Sequence, residues 1–245
     1  MSGPHTPRWL DLDGAHNVRD VGGLAAGPRR VRAGVLLRGD HLEDLTDAGV
    51  QRLFQEVGLR AVVDLRAPSE DPVAVPWMAS RGVQRLHLPL VDLTRIIRGR
   101  YATDPGGVYA DMLTEAAPAL VQILRFLVAE HRVPALVHCA AGKDRTGITV
   151  AVLLAAAGVD DADIIADYTA TGLRLERINA SLARRGGYPV SDLPPRPAPL
   201  PDTPIRAVLA ALHATDGGAE QFLTHHGATP ADLDRWRTLL LEDTP

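Results

Sequence analysis

At 245 residues, 46% of them apolar, the chain is long enough to bury a substantial core and short enough to make one domain with elaborations. A formal net charge of −4 gives no electrostatic footprint for duplex nucleic acid, so no nucleic-acid partner is expected, and no apolar run approaches a bilayer span. The opening stretch Met1 to Leu24 is polar and punctuated by charges rather than leader-like, so the expected compartment is the cytoplasm, with non-classical export left open.

In chain order, Val31 to Arg38 alternates and then runs apolar, predicting a strand. Thr46 to Phe54 has a capping threonine ahead of helically spaced Val50, Leu53 and Phe54. Leu59 to Leu65 is a β-branched run of the buried-strand type, and Val83 to Leu88 alternates as a third strand. A long helix is predicted over Tyr109 to His131, ending before Val133 and Pro134, followed by a fourth strand at Ala135 to His138. Thr146 to Ala157 is almost wholly apolar, as a helix buried in an α/β core would be. Helices are predicted over Asp160 to Tyr168, Leu173 to Arg184, Ile205 to Ala214, Ala219 to His226 and Thr229 to Leu241. The proline-rich stretch Ser191 to Pro204 reads as a stiff connector rather than a docking motif. The expected fold class is α/β, a central, mostly parallel sheet flanked by helices. Residues 1–245 make one domain, with 160–245 a helical elaboration.

One cysteine, Cys139, excludes an intrachain disulfide and a multi-cysteine zinc site, leaving either a packing thiol or a reactive one. Its surroundings favour the second. Of 26 basic residues, Lys143 is the one lysine, and it stands four positions after Cys139, where a compact rotatable charge does what a planar guanidinium does not. The segment His138-Cys139-Ala140-Ala141-Gly142-Lys143-Asp144-Arg145-Thr146-Gly147 joins a strand to a helix N-terminus. Small residues at Ala140, Ala141 and Gly142 let the main chain close round a phosphate, and the helix adds its positive end. Such a field favours the thiolate, and Arg145 supplies a bidentate grip on phosphate oxygens. Thr146 is placed to donate to the thiolate, and His138 reads as structural or thiolate-tuning. The loop is no Walker A, since Asp144 follows Lys143, and no metal or cofactor is expected.

The string Cys139-x5-Arg145-Thr146 resembles the signature of cysteine-dependent protein tyrosine and dual-specificity phosphatases, and the fuller segment is similar to that of a bacterial branch of the family. Asn17 to Leu24, Leu37 to Asp40 and Val63 to Arg66 resemble flanking motifs of that branch, with Val18 in place of an aromatic and Gly39 in place of a common serine. The resemblance implies a phosphocysteine mechanism on phosphotyrosine, with phosphoserine or phosphothreonine as further substrates, and a phosphoinositide phosphatase as the rival. The loop also admits a silent phosphate-binding module or a rhodanese-type sulfur transferase. For the general acid, Asp144 and Asp92 are equal candidates and Asp64 a third; more plainly, Asp144 pairs with Lys143 and Asp92 caps a helix. Arg19, Asp20, Arg38 and Arg66 are expected as ion pairs buttressing the loop. Asp160 to Arg184 is a candidate lid.

Overall fold

A computed structural model describes residues 6–70, 75–90, 100–185 and 200–244. Among these residues the main sheet has six strands: β1 (Arg8–Trp9), β2 (Arg19–Asp20), β5 (Leu36–Gly39), β8 (Ala135–His138), β6 (Ala61–Asp64) and β7 (Gln84–His87), side by side in that order. The four strands from β5 to β7 run parallel, while β1 and β2 extend the sheet antiparallel beyond β5. A second, antiparallel sheet joins β3 (Ala25–Ala26), β4 (Arg29–Val31) and β9 (Leu241–Asp243). The expected α/β architecture with a mostly parallel centre holds.

The period of two in the strands sorts the core into two layers. Leu36, Val63 and Val137 face one apolar cluster, and Leu37, Val62 and Leu136 face the other. Over the first lie α3 (Pro105–Val128), α4 (Asp144–Ala157), α5 (Asp161–Ala170), α7 (Thr203–His213), α8 (Gly218–His225) and α9 (Pro230–Leu240). Over the second lie α1 (Asp47–Val57) and α2 (Pro76–Ser80). Helix α4 is buried on nearly every residue, and Trp236 of α9, itself fully buried, donates from Nε1 to the Leu153 carbonyl at 2.9 Å. Helix α1 is the crossover from β5 to β6, capped by Thr46, whose side chain accepts from the Gly49 amide, and closed by Gly58 at φ 68°.

The predicted strand over Val31 to Arg38 divides. Its first residue ends β4 in the small sheet, and Leu36 onward forms β5 in the large one. The chain turns between them at Gly34, φ 73°, because Asp20 gathers the Gly22 and Gly34 amides on its two oxygens at 2.8 Å each. Asp20 therefore holds this turn instead of buttressing the cysteine loop. The long helix begins four residues before Tyr109, since Asp104 accepts from the Gly107 amide and Pro105 suits the first turn. Helix α9 carries a reciprocal capping box between Thr229 and Asp232. Of the proline-rich connector, residues 191–199 lie outside the described residues, and Pro204 sits in the first turn of α7. Among the described residues no helix is long and apolar enough to cross a membrane.

Candidate active site

Strand β8 lies between β5 and β6, so its C-terminal end opens at the middle of the parallel sheet, where α/β folds place their ligands. The loop Cys139 to Lys143 follows there and runs directly into α4. Backbone groups at such a buried turn must find partners, and the carbonyls can be accounted for one by one. The Cys139 carbonyl accepts from His138 Nδ1 at 3.2 Å. That of Ala140 accepts from both the amide and Nδ1 of His41, each at 3.1 Å. Asn17 Nδ2 donates to the carbonyls of Ala141 and Gly142 at 2.9 and 3.2 Å, and Arg38 adds a bond to Gly142 at 2.9 Å. The Lys143 carbonyl takes the Gly147 amide at 2.8 Å. Every carbonyl from Cys139 to Lys143 thus has a donor outside those five residues. Gly142, at φ 67°, permits the closest approach: a Cβ there would lie 2.4 Å from the Gly39 carbonyl oxygen.

Arg38 and Arg19 are held in place behind the loop by a residue that sequence reasoning passed over. Asp167 of α5, fully enclosed, accepts from Arg19 Nε at 2.8 Å and from Arg38 at 2.5 Å, while Arg19 also bonds Asn17 Oδ1 at 2.6 Å. Burial raises the pKa of Asp167, but the two guanidinium groups outweigh it and hold the carboxyl at about 2. Desolvation lowers Arg19 to about 10, which leaves it a cation at neutral pH. Asp40, buried, accepts the His16 and Asn17 amides and fixes the segment that carries Asn17.

Cys139 is 2% exposed at the base of the loop. His138 behind it is buried, and desolvation lowers its pKa; since a carbonyl can only accept, its proton sits on Nδ1. Arg145, 1% exposed, meets Glu70 in a two-pronged pair at 2.5 and 2.7 Å, with Glu70 placed by the short 3-10 turn Pro68–Glu70. Thr146 Oγ1 is enclosed at the third residue of α4 and makes no hydrogen bond among the described residues, so the expected donation to the thiolate is not formed.

Asp64 does not suit the acid role. It is 1% exposed and bonded to Arg66 and Arg85; burial pushes its pKa up, but those partners and His138 outweigh it and hold the carboxyl far below the ordinary range. Arg66 also pairs with Glu43, so Arg66 braces the sheet end beside the loop. Asp92 lies outside the described residues. On Oδ1 of Asp144, the first residue of α4, three donors converge among the described residues: Lys143 Nζ at 2.7 Å, Tyr109 at 2.5 Å and Tyr101 at 2.9 Å. Lys143 also donates to the Tyr101 hydroxyl at 2.7 Å, a position between a carboxylate and a phenol that a single rotatable ammonium fills.

Helix α6 (Leu175–Arg184) closes the outer flank, packing Ile178 and Leu182 on Ala140 and Ala141, while Ser181 and Arg185 bond the His41–Asp44 pair. Asp167 had a signal that was open to reading: at helical spacing it shares the apolar stripe of Ile164 and Tyr168, so a charge there had to be buried and paired. Glu70 and the tyrosines had none, being brought in from distant elements.

Comparisons with known proteins agree with this geometry. The sequence model of the tyrosine phosphatase family matches residues 10–242. A protein of Cupriavidus necator assigned as a tyrosine-protein phosphatase is 34% identical, the alignment covering 88% of this chain and 84% of its relative. A tyrosine-protein phosphatase of Nostoc commune is 29% identical over 86% of this chain and 75% of its own. The triple-specificity protein phosphatase PtpB of Mycobacterium tuberculosis is 29% identical over 71% and 72%. With a family match over nearly its whole length and the signature loop built as described, the chain belongs to the tyrosine phosphatase family.

Proposed function

We propose that the protein hydrolyses phosphotyrosine in proteins through a phosphocysteine on Cys139. The observation that carries the reading is the loop whose carbonyls are all bound from outside it, with Cys139 at its start and Arg145 on the helix that follows, which supports its amides and Arg145 as the donors to a phosphoryl group. In the first step the Cys139 thiolate attacks phosphorus in line, the bond to the tyrosine oxygen breaks, and that oxygen takes a proton from the general acid. In the second, water attacks phosphorus, gives its proton to the same carboxylate, and Cys139 leaves as thiolate with release of inorganic phosphate. Asp144 is the acid favoured by its place at the start of α4, and Asp92 is the second candidate.

Lys143 is engaged by Asp144 and Tyr101, which favours a monoester of a protein over a phosphoinositide needing a second cation in the loop. The name of the mycobacterial relative supports testing phosphoserine and phosphothreonine as well. Residues 1–245 are read as one catalytic domain with 160–245 as its helical elaboration, supported by an apolar cluster that runs from Val21 to Leu241. The cytoplasm is the proposed compartment, with non-classical export as the alternative.

The test is hydrolysis of 4-nitrophenyl phosphate in excess chelator by the parent protein and Cys139→Ser, followed by phosphopeptide and phosphoinositide panels. Chelator-resistant turnover lost in the variant is the expected result. A folded, reduced parent that binds phosphate without turnover would instead be a silent binding module.

A further inference from the structure

Helix α5 presents two consecutive buried side chains to the C-terminal side of the loop and the first residue of α4. Asp167 reaches Gly142 through Arg38, and Tyr168 reaches Asp144 through Tyr109. The second route has a direction. Tyr109 has one hydroxyl proton and donates it to Asp144 Oδ1 at 2.5 Å, so at the 2.7 Å contact between the two phenols Tyr168 donates and Tyr109 accepts. Both rings are buried, Tyr109 fully and Tyr168 at 2% exposure, and they meet edge to face with centroids 6.1 Å apart. Burial raises the pKa of each phenol, which keeps both as donors. Tyr168 is itself fixed against Gly147, where a Cβ would come within 2.9 Å of its ring, so the glycine that ends the signature makes room for this tyrosine.

We propose that Tyr109, held by Tyr168, is a positioning residue for Asp144, setting the plane of the carboxyl group in which it exchanges a proton with the leaving oxygen. The inference rests on the assignment of Asp144 as general acid made above. Nothing in the packing alone calls for two hydroxyls here, since phenylalanine rings would fill the same space.

Full-length Tyr109→Phe, Tyr168→Phe, Asp144→Asn and the double variant Asp144→Asn with Tyr109→Phe are compared on phenyl phosphate, whose leaving oxygen needs a proton, and on 4-nitrophenyl phosphate, whose leaving oxygen does not. Parent turnover that depends on Cys139 tests the proposed function separately and does not involve the tyrosines. Tyr109→Phe is expected to lower kcat on phenyl phosphate about 10-fold with KM within about twofold, the loss shrinking to about twofold on 4-nitrophenyl phosphate. Tyr168→Phe follows the same pattern at about threefold, and Tyr109→Phe adds no further loss in the Asp144→Asn background. Equal losses on the two esters, no loss, or a full additional loss in the double variant would each overturn the proposal. If Tyr109→Phe does not fold, Tyr168→Phe, which leaves the Tyr109 hydroxyl in place, carries the same comparison with the same refuting results.

Discussion

Replacing Asp167 by Asn tests whether one buried carboxylate holds the rear wall of the loop together. Its side chain is 3% exposed and faces Arg19 and Arg38, which are 0% and 1% exposed. The drop in its pKa from 3.8 to about 2 is set by burial, which opposes it, and by the two guanidinium groups, which prevail. That drop corresponds to roughly 2.5 kcal/mol of folding free energy at neutral pH. Because the folded value is the lower one, the contribution is complete well above 3.8 and is lost as pH falls through about 2, with about half gone by pH 3. Asparagine removes it and leaves two buried guanidinium groups facing each other, which brings the expected loss to about 3–5 kcal/mol at pH 7. Urea unfolding of parent and variant at pH 7 and at pH 3 measures both quantities. The gap between them should narrow by about 1 kcal/mol at the lower pH. A variant within about 1 kcal/mol of the parent at pH 7, or a gap that widens on acidification, would refute the assigned role.

Two further substitutions probe the loop itself. Gly142→Ala puts a methyl group 2.4 Å from the Gly39 carbonyl at a positive φ, so kcat should fall at least about 100-fold while circular dichroism is unchanged; wild-type turnover would mean that the loop tolerates the shift. Glu70→Gln turns an amide NH2 toward the Arg145 guanidinium, and kcat/KM should fall about 10-fold or more; a rate at or above the parent's would show that Glu70 competes with phosphate for the arginine fork.

The central strands, the buried α4 and the strand-to-helix loop at Cys139 were legible because each is written in contiguous residues: a β-branched run, an unbroken apolar helix, a cysteine followed by small residues and an arginine. Arg19, Arg38 and Arg66 were legible as loop and sheet supports because buried cations beside an anion site need fixed partners. Their actual partners were less so. Asp167 lies well over a hundred positions from Arg19 and Arg38, and only the folded packing of α5 on the sheet brings them together. The break in the strand over Val31 to Arg38 escaped local reading for a similar reason, because its turn is held by Asp20, on a different strand. Glu70 comes from a one-turn helix with no periodicity to announce it. Asp144 was weighed as an acid and as a partner of Lys143, and it does pair with Lys143; the tyrosines that share its oxygen could not be foreseen from spacing.

The outward binding of the loop's carbonyls bears on how far the signature can travel. Of the donors that hold its carbonyls, His138 and Gly147 belong to the string itself, whereas Asn17, Arg38 and His41, which bind the carbonyls of Ala140, Ala141 and Gly142, lie outside it. The ten-residue string is therefore not a portable part. Grafted onto another strand-to-helix junction without those three residues, it would keep its cysteine and its arginine and lose the donors that hold the carbonyls of Ala140, Ala141 and Gly142. A chain that carries the string but lacks counterparts of Asn17, Arg38 and His41 is expected to be a poor phosphatase, however well its signature reads.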